Sequence, residues 1–180
     1  MGESARRVFE PGYSARREYA VSKLAAETML LGMGGDVRIV RPFNVAGPGQ
    51  RAEGGFVVPR FLGQARDGLP LTVYAPGTQL RAFTHVLDIV DGIVRAGRPG
   101  VAGEWNLGNP DNACTVLELA REVIEVTGSD AGFRIVDPRE LWPGFAEAPD
   151  KVPDPSAAMR DLGWRPTRDR LQTIIDAWRA

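Results

Sequence analysis

The sequence has little cysteine, histidine or lysine. Its 180 residues include Cys114, His85, Lys23 and Lys151 as the only members of these three types, against 20 arginines. One cysteine excludes a disulfide framework and a cysteine-based zinc site within one chain, and we predict no metal site. Because arginine has replaced lysine almost throughout, the two lysines are candidates for positions that need an ammonium group, although chance retention would also explain them.

Long apolar runs and an excess of either charge are also missing. No stretch approaches the roughly 20 apolar residues of a membrane span, and segment 1–12 lacks the apolar centre of a signal peptide. The net charge is −1, with 25% charged and 43% hydrophobic residues. This balance predicts no nucleic-acid or membrane partner, and a cytoplasmic soluble protein is expected.

The spacing of apolar residues predicts alternating helices and strands, which is typical of an α/β chain. Helices are expected at 16–31 and 56–66, from Val86, from Thr115 with a Thr115–Glu118 capping box, after Asp154-Pro155, and around 171–178. Strands are expected at 37–40, 71–74, 80–86, 104–107 and 133–136, and loops at 1–15 and 44–55. On the helix from Val86, the apolar face contains Val86, Ile89, Val90, Ile93 and Val94.

The pair formed by Tyr19 and Lys23 is the strongest chemical signal. Residues four apart share a helix face, and an ammonium beside a phenol stabilises the phenolate. Such a pair can exchange a proton with an alcohol or carbonyl near neutral pH. Because the chain has three tyrosines and two lysines, this spacing rarely arises by accident. The alternative is an ordinary amphipathic helix with a surface lysine.

Five ordered segments, from residue 17 to the end and so over about 90% of the chain, resemble extended short-chain dehydrogenases/reductases of the sugar-nucleotide epimerase/dehydratase type. They are YAVSKLAAE from Tyr19, RPFNVAGPGQ from Arg41, RAFTHV from Arg81, WNLGNP from Trp105, and KVPD from Lys151 followed by LGWRP from Leu162.

The resemblance implies an α/β fold: the C-terminal part of a Rossmann-like doubly wound parallel sheet plus the small α/β substrate-binding lobe. Residues 1–55 would supply the catalytic helix, strand and loop of the core. Residues 56–180 would be mostly lobe, with strand 104–107 returning to the core sheet. No linker divides the chain into two independent domains.

The resemblance also implies the following site. Tyr19 is the catalytic acid/base, and Lys23 assists it and binds the nicotinamide ribose of NAD (or NADP). Pro42 and Phe43 form the wall beside the nicotinamide. The nucleoside-diphosphate sugar would be bound by Asn44, by a base pocket of Phe56, Val57, Val58, Val73 and Tyr74, and by the phosphate ligands Arg81 and Lys151.

Ordinary structural explanations exist for several of these residues. Asn44 lies in a glycine-rich loop and is otherwise a turn residue. Arg81 is otherwise a solvated strand charge, and Lys151 a surface loop charge. His85 matches a structural position in the family, and no catalytic role is predicted for it.

The sequence departs from the family at its cofactor site. No G-x-G-x-x-G or similar turn follows a strand, and the acidic ribose ligand that accompanies it is absent. The family's catalytic Ser/Thr would lie before residue 1, so the N-terminal Rossmann half is expected to be absent. Leu87, where relatives usually have Asp, and Lys151, where they have Arg, are expected to affect substrate choice.

Strands 37–41 and 104–107 would then lack inner neighbours, and exposed parallel edges invite pairing with another chain. The chain alone is therefore expected to be unstable or homo-oligomeric, or to be completed by a separate N-terminal polypeptide. Three functions remain open. They are an NAD-dependent epimerase, dehydratase or decarboxylase component, a non-catalytic nucleotide-sugar-binding module, and an inactive truncated family member. Segment 108–112 resembles UDP-glucuronate decarboxylases and related 4-epimerases.

Overall fold

The computed structural model describes residues 1–5, 15–141, 145 and 150–180. The helices are α1 (Ala15–Met33), α2 (Val57–Arg66), α3 (Val86–Ala96), α4 (Val116–Thr127), α5 (Pro138–Leu141), α6 (Ser156–Leu162) and α7 (Arg170–Arg179). The strands are β1 (Arg38–Pro42), β2 (Val45–Ala46), β3 (Leu71–Tyr74), β4 (Leu80–Ala82), β5 (Thr84–His85), β6 (Gly103–Leu107), β7 (Ala113–Thr115) and β8 (Phe133–Val136).

The predicted α/β organisation is confirmed, and the described strands form two-stranded sheets. Strands β1 and β6 are parallel, with Arg38 opposite Gly103 and Pro42 opposite Leu107. Pairs β2–β5 and β3–β8 are also parallel, whereas β4–β7 is antiparallel. Strand β7 and helix α5 were not predicted, and β2 lies within the predicted loop 44–55, because each is too short to show a periodic pattern. The strand predicted at 80–86 is divided into β4 and β5, and Val86 begins α3. The loop predicted for residues 1–15 lies outside the described residues at 6–14.

Two apolar clusters form the core. The larger joins α2, β3, α4 and α7 through buried side chains that include Phe61, Leu71, Val73, Leu119, Val123 and Ile174. The smaller joins α3, β6 and α6 through Ile89, Trp105, Leu107, Ala158, Leu162 and Trp164. The parallel pair β1–β6 therefore packs with α3 and α6 around a different cluster from α2, β3, α4 and α7. The predicted boundary at residue 55 stays a prediction.

Helix α3 packs through small residues rather than through the apolar face that its spacing suggests. Ile89 is buried, but Val90, Ile93 and Val94 are 48%, 48% and 61% exposed. At Gly92, a Cβ atom would come within 2.4 Å of Leu107 Cδ1. The close approach of α3 to β6 therefore requires glycine at this position, and it leaves the larger side chains on the outer surface.

Helix α1 is largely exposed, and no second strand lies beside β1 among the described residues. Met29 and Met33 on α1 are 70% and 80% exposed, and among the described strands β1 pairs with β6 alone. Parallel sheets are normally covered on both faces, and an open strand edge can pair with another chain. Neither α1 nor any other helix within the described ranges is long and apolar enough to cross a membrane.

Helix α4 begins with the predicted capping box. Thr115 Oγ1 accepts the Glu118 N–H at 3.1 Å, and Glu118 Oε2 accepts the Thr115 N–H at 2.7 Å. These bonds to Thr115 lower the pKa of Glu118, because they favour its carboxylate. Their stabilisation is therefore present above the ordinary glutamate pKa, and it is lost as the pH falls through the lowered value.

Replacing Thr115 with alanine is expected to lower the free energy of unfolding by about 1 kcal/mol, because the first turn of α4 loses a cap. Urea unfolding at neutral pH measures the change. Thr127→Ala, at the other end of α4, is the matched control. Its hydroxyl bonds carbonyls within the helix, so a smaller effect is expected. Equal losses in the two variants would contradict the capping account.

Candidate functional site

Tyr19 and Lys23 lie together on α1, as the sequence predicts. The Lys23 ammonium nitrogen is 5.3 Å from the centre of the Tyr19 ring, and Tyr19 is 65% exposed. The phenol is therefore accessible to a ligand while an ammonium group lies close to it. The predicted role of the two residues in proton exchange stays a prediction.

Helix α1 is tied to the β1–β6 sheet by Arg41. Its Nε donates to Glu27 Oε1 at 2.7 Å and its Nη2 to Glu27 Oε2 at 2.7 Å. Nη2 also contacts the Glu104 carboxylate on β6. The hydrogen bonds to Glu27, more than any other contact, raise the pKa of Arg41. Sequence reasoning missed this cluster, although Glu27 lies one helical turn beyond Lys23.

The chain directly after β1 carries Pro42, Phe43 and Asn44. The Phe43 N–H donates to Leu107 O at 2.9 Å. Asn44 has a positive φ of 34°, and its side-chain Nδ2 donates to Ala82 O at 3.0 Å. Asn44 is thus a turn residue that ties the end of β1 to β4. Its contact with a substrate, like those of Pro42 and Phe43 with a cofactor, stays a prediction.

Arg81 and Lys151 are brought together by an isolated parallel bridge. The Lys151 N–H donates to Leu80 O at 3.1 Å, and the Ala82 N–H to Lys151 O at 3.3 Å. Arg81 is half-buried and Lys151 is exposed. Residues paired across adjacent strands lie on the same side of the ladder. The structure therefore places the two predicted phosphate ligands next to each other, although 69 residues separate them along the chain.

Tyr74 lies between a cation and an aromatic ring. The Arg60 guanidinium carbon is 4.3 Å from the centre of the Tyr74 ring, and the Phe145 ring meets it edge-on at 6.4 Å. Arg60 also donates to Thr72 O at 3.0 Å, and burial lowers the pKa of Arg60. Arg60 was not among the predicted site residues. It follows directly after the segment 56–59 that the resemblance singled out.

The remaining residues of the predicted base pocket differ in accessibility. Phe56 is 58% exposed at the N-cap of α2, and Val57 is partly buried. Val58 and Val73 are 2% and 0% exposed within the larger core cluster. A ligand at the last two positions can therefore meet only main-chain atoms. The roles of all four residues stay predictions.

His85 is fully buried and caps α3. Its Nδ1 accepts the Leu87 N–H at 3.1 Å, so the neutral ring carries its proton on Nε2. That nitrogen is 3.3 Å from Asp176 Oδ2 on α7, with an alignment poorer than a hydrogen bond requires. The histidine therefore links two helices of the core. Leu87 is 52% exposed, and its predicted influence on substrate choice stays untested.

A cavity of about 430 Å³ lies between the 47–53 loop, α2 and the end of α7. Its lining includes Gly49, Gln50, Arg51, Pro59, Arg66 and Ala177. Of the predicted site residues, Val58 alone lines it. The predicted site residues are thus not gathered in this cavity; Tyr19, Lys23 and Lys151 lie on open surface.

The described residues thus form an α/β protein in which an exposed Tyr19–Lys23 pair lies on a helix bonded to a parallel sheet, and Arg81 and Lys151 are paired at β4. Residues 4–108 match the NAD dependent epimerase/dehydratase family. The match covers more than half of the chain, and the chain belongs to this family.

Curated relatives include UDP-glucuronic acid decarboxylase 3 of Arabidopsis thaliana, 37% identical over 82% of this chain and 43% of the relative. UDP-N-acetyl-alpha-D-glucosaminuronate decarboxylase of Bacillus cytotoxicus is 36% identical over 86% of this chain and 50% of the relative. The chain therefore spans about half, or less, of the length of these relatives.

Solved structures show the same fold. UDP-glucuronic acid 4-epimerase of Bacillus cereus in complex with NAD aligns with a TM-score of 0.81 at 22% identity, over 99% of this chain and 54% of that one. Pal of Bacillus thuringiensis aligns with a TM-score of 0.77 at 29% identity, over 89% of this chain and 51% of that one. The chain has the Rossmann-like epimerase/dehydratase fold over the aligned part, as predicted.

Proposed function

We propose that this chain supplies the acid–base pair and the substrate lobe of an NAD-dependent enzyme that converts a nucleoside-diphosphate sugar. The observation that carries the proposal is the Tyr19–Lys23 pair, with 5.3 Å between ammonium and ring centre, on a helix tied to the strand that leads to Pro42 and Phe43. The family match supports it. The 37% identical relative favours a UDP-glucuronate decarboxylase reaction, and the resemblance of segment 108–112 keeps a 4-epimerase reaction as an alternative.

The residues present fit one end of an NAD site. Lys23 and Tyr19 are exposed on α1, and Pro42 is exposed where β1 ends, so a nicotinamide ribose could reach Lys23 and a ring could lie against Pro42 and Phe43. NAD, when bound, would take up hydride from a sugar carbon. The glycine-rich turn that holds a dinucleotide pyrophosphate is not in this sequence.

Tyr19, acting as a phenolate held beside the Lys23 ammonium, would take the proton of the sugar hydroxyl at its Oη and become the neutral phenol. Arg81 and Lys151, adjacent across the β4 bridge, would bind the pyrophosphate through charge-assisted hydrogen bonds. Main chain at Val73 and the Tyr74 ring would receive the base. Each of these contacts orients the sugar towards Tyr19.

We further propose that a unit carrying the glycine-rich turn completes the site by pairing with the outer edge of β1, in the cytoplasm. This unit could belong to a longer form of the chain or to a separate polypeptide. The exposed edge of β1 and the apolar side chains on α1 and α3 support the proposal. We call the chain together with this unit the assembled protein.

Arg81→Gln is expected to weaken UDP-glucuronate binding by about 10- to 100-fold, because one charge-assisted contact to the pyrophosphate is worth about 1.5–3 kcal/mol. Calorimetry on the chain measures it. Arg134→Gln, which removes an exposed strand arginine on β8, is the matched control and is expected to bind as the unchanged chain does. Equal affinities for all three proteins would contradict the proposed substrate site.

A non-catalytic binding module has one observation in its favour, because Arg81 and Lys151 are already adjacent in this chain without the cofactor-binding unit. Binding of UDP-glucuronate without any turnover in the assembled protein, with NAD present, would support this second function over the first.

A further inference from the structure

We infer that Glu27, Arg41 and Glu104 form a positioning device that fixes the acid–base pair on α1 relative to the end of β1. The inference rests on the proposed function, in which Tyr19 and Lys23 must face a ring lying against Pro42 and Phe43. None of the three residues needs to touch substrate or cofactor. They act by setting the distance between two groups that do.

The first argument is the poor packing of α1. From Glu18 to Met33, every residue of the helix except Leu24 and Glu27 is exposed. The apolar residues Met29, Leu30 and Met33 are 70%, 48% and 80% exposed. With so few packed side chains to fix the helix, the Glu27–Arg41 ion pair is its strongest described side-chain link to the sheet.

The second argument is the place of Glu27 on the helix. It lies four residues beyond Lys23 and eight beyond Tyr19, so the three side chains follow one stripe of α1. Its carboxylate accepts two parallel bonds from Arg41 at 2.7 Å. A two-point contact between two planar groups restricts both sliding and rotation of the helix.

The third argument is the place of Arg41 on the strand. It directly precedes Pro42 and Phe43, and its register partner on β6 is Asn106. The Glu104 carboxylate contacts the same Nη2 that binds Glu27. The guanidinium is thus held between a helix and a neighbouring strand. A misplacement of a catalytic group by about 1 Å can lower the rate about 100-fold. The Arg41 guanidinium can therefore affect turnover without contacting the ligands.

Hydrogen–deuterium exchange on the chain is the first arm of the test. Arg41→Gln and Glu27→Gln should speed exchange of the α1 amides by tenfold or more and leave α4 unchanged. The matched control is Glu122→Gln, which breaks a similar two-point pair with Arg170 at 2.6 and 2.5 Å between α4 and α7. It should affect α7 and not α1. Unchanged exchange in α1 of both variants would overturn the inference, whatever the activity.

Kinetics of the assembled protein with NAD and UDP-glucuronate form the second arm. Glu27→Gln should lower kcat by about 10- to 100-fold with KM changed less than threefold, and Glu27→Asp should recover part of the loss. The variant that combines Glu27→Gln with Arg41→Gln should have a kcat no lower than that of the slower single variant, because each single change already breaks the same contact. If Glu27→Gln lowered kcat no more than Glu122→Gln does, the inference would be overturned. If the unchanged assembled protein shows no turnover, the proposed function is refuted instead. Hydrogen–deuterium exchange would still decide whether Glu27 and Arg41 hold α1 to the sheet.

Discussion

Replacing Tyr19 with phenylalanine is expected to lower kcat of the assembled protein by about 100- to 10,000-fold, the usual contribution of a positioned acid/base. The change removes the hydroxyl and keeps the ring beside Lys23. Because Tyr19 is 65% exposed, folding and UDP-glucuronate affinity should stay as they are. Turnover with NAD and UDP-glucuronate, together with urea unfolding of the same preparation, separates the two effects.

Thr28→Ala is the matched control for this variant. It also removes one hydroxyl from α1, where Thr28 Oγ1 bonds the Leu24 carbonyl at 2.8 Å and faces no proposed ligand. Its kcat should lie within about twofold of the unchanged protein. A Tyr19→Phe variant that turns over within tenfold of the unchanged protein would show that another group transfers the proton.

Asp88→Asn is expected to lower the free energy of unfolding by about 3 kcal/mol, because a buried carboxylate would lose its charge among four donors. Asp88 is 3% exposed. Its Oδ1 accepts from Thr167 Oγ1 at 2.9 Å and Arg168 Nη1 at 2.6 Å, and its Oδ2 accepts the N–H groups of both residues at 3.1 Å. The side-chain NH2 of the asparagine would point towards some of the four donors and could not accept their hydrogen bonds.

Asp91→Asn, on the same helix, is the control for this prediction. Asp91 pairs with Arg95 at 2.7 Å, and its side chain is 46% exposed, so the loss should stay below about 0.5 kcal/mol. Urea unfolding of both variants gives the comparison. If the free energies of unfolding of the two variants differed by less than 1 kcal/mol, the hydrogen bonds of Asp88 would not be what holds segment 167–168 to α3.

Local signals in the sequence were sufficient for several elements. Helix α4 could be predicted to within a residue, because Thr115, Glu118 and Gly128 mark both of its ends. The Tyr19–Lys23 pair could also be predicted, since helical geometry alone brings residues four apart together. In each case the partners are close in sequence, so the backbone geometry is enough to place them.

Contacts between distant segments could not be predicted in this way. Asp88 and Arg168 lie 80 positions apart, and nothing in the sequence distinguishes Arg168 from a surface arginine. The position of Lys151 beside Arg81 depends on a single bridge between irregular segments. The large side chains of α3 face outwards because Gly92 packs against Leu107. That contact depends on the packing of β6, which comes later in the chain.

Calorimetric titration of the purified chain with NAD and, separately, with UDP-glucuronate and UDP-glucose is the most direct test of the central claim. The claim is that this chain holds the acid–base pair and the sugar-nucleotide lobe, and that another unit completes the NAD site. We expect a nucleotide sugar to bind and NAD to show no stoichiometric binding. Near-stoichiometric NAD binding would contradict the claim that another unit completes the NAD site. If none of the three ligands bound, the claim that this chain holds the sugar-nucleotide lobe would be contradicted.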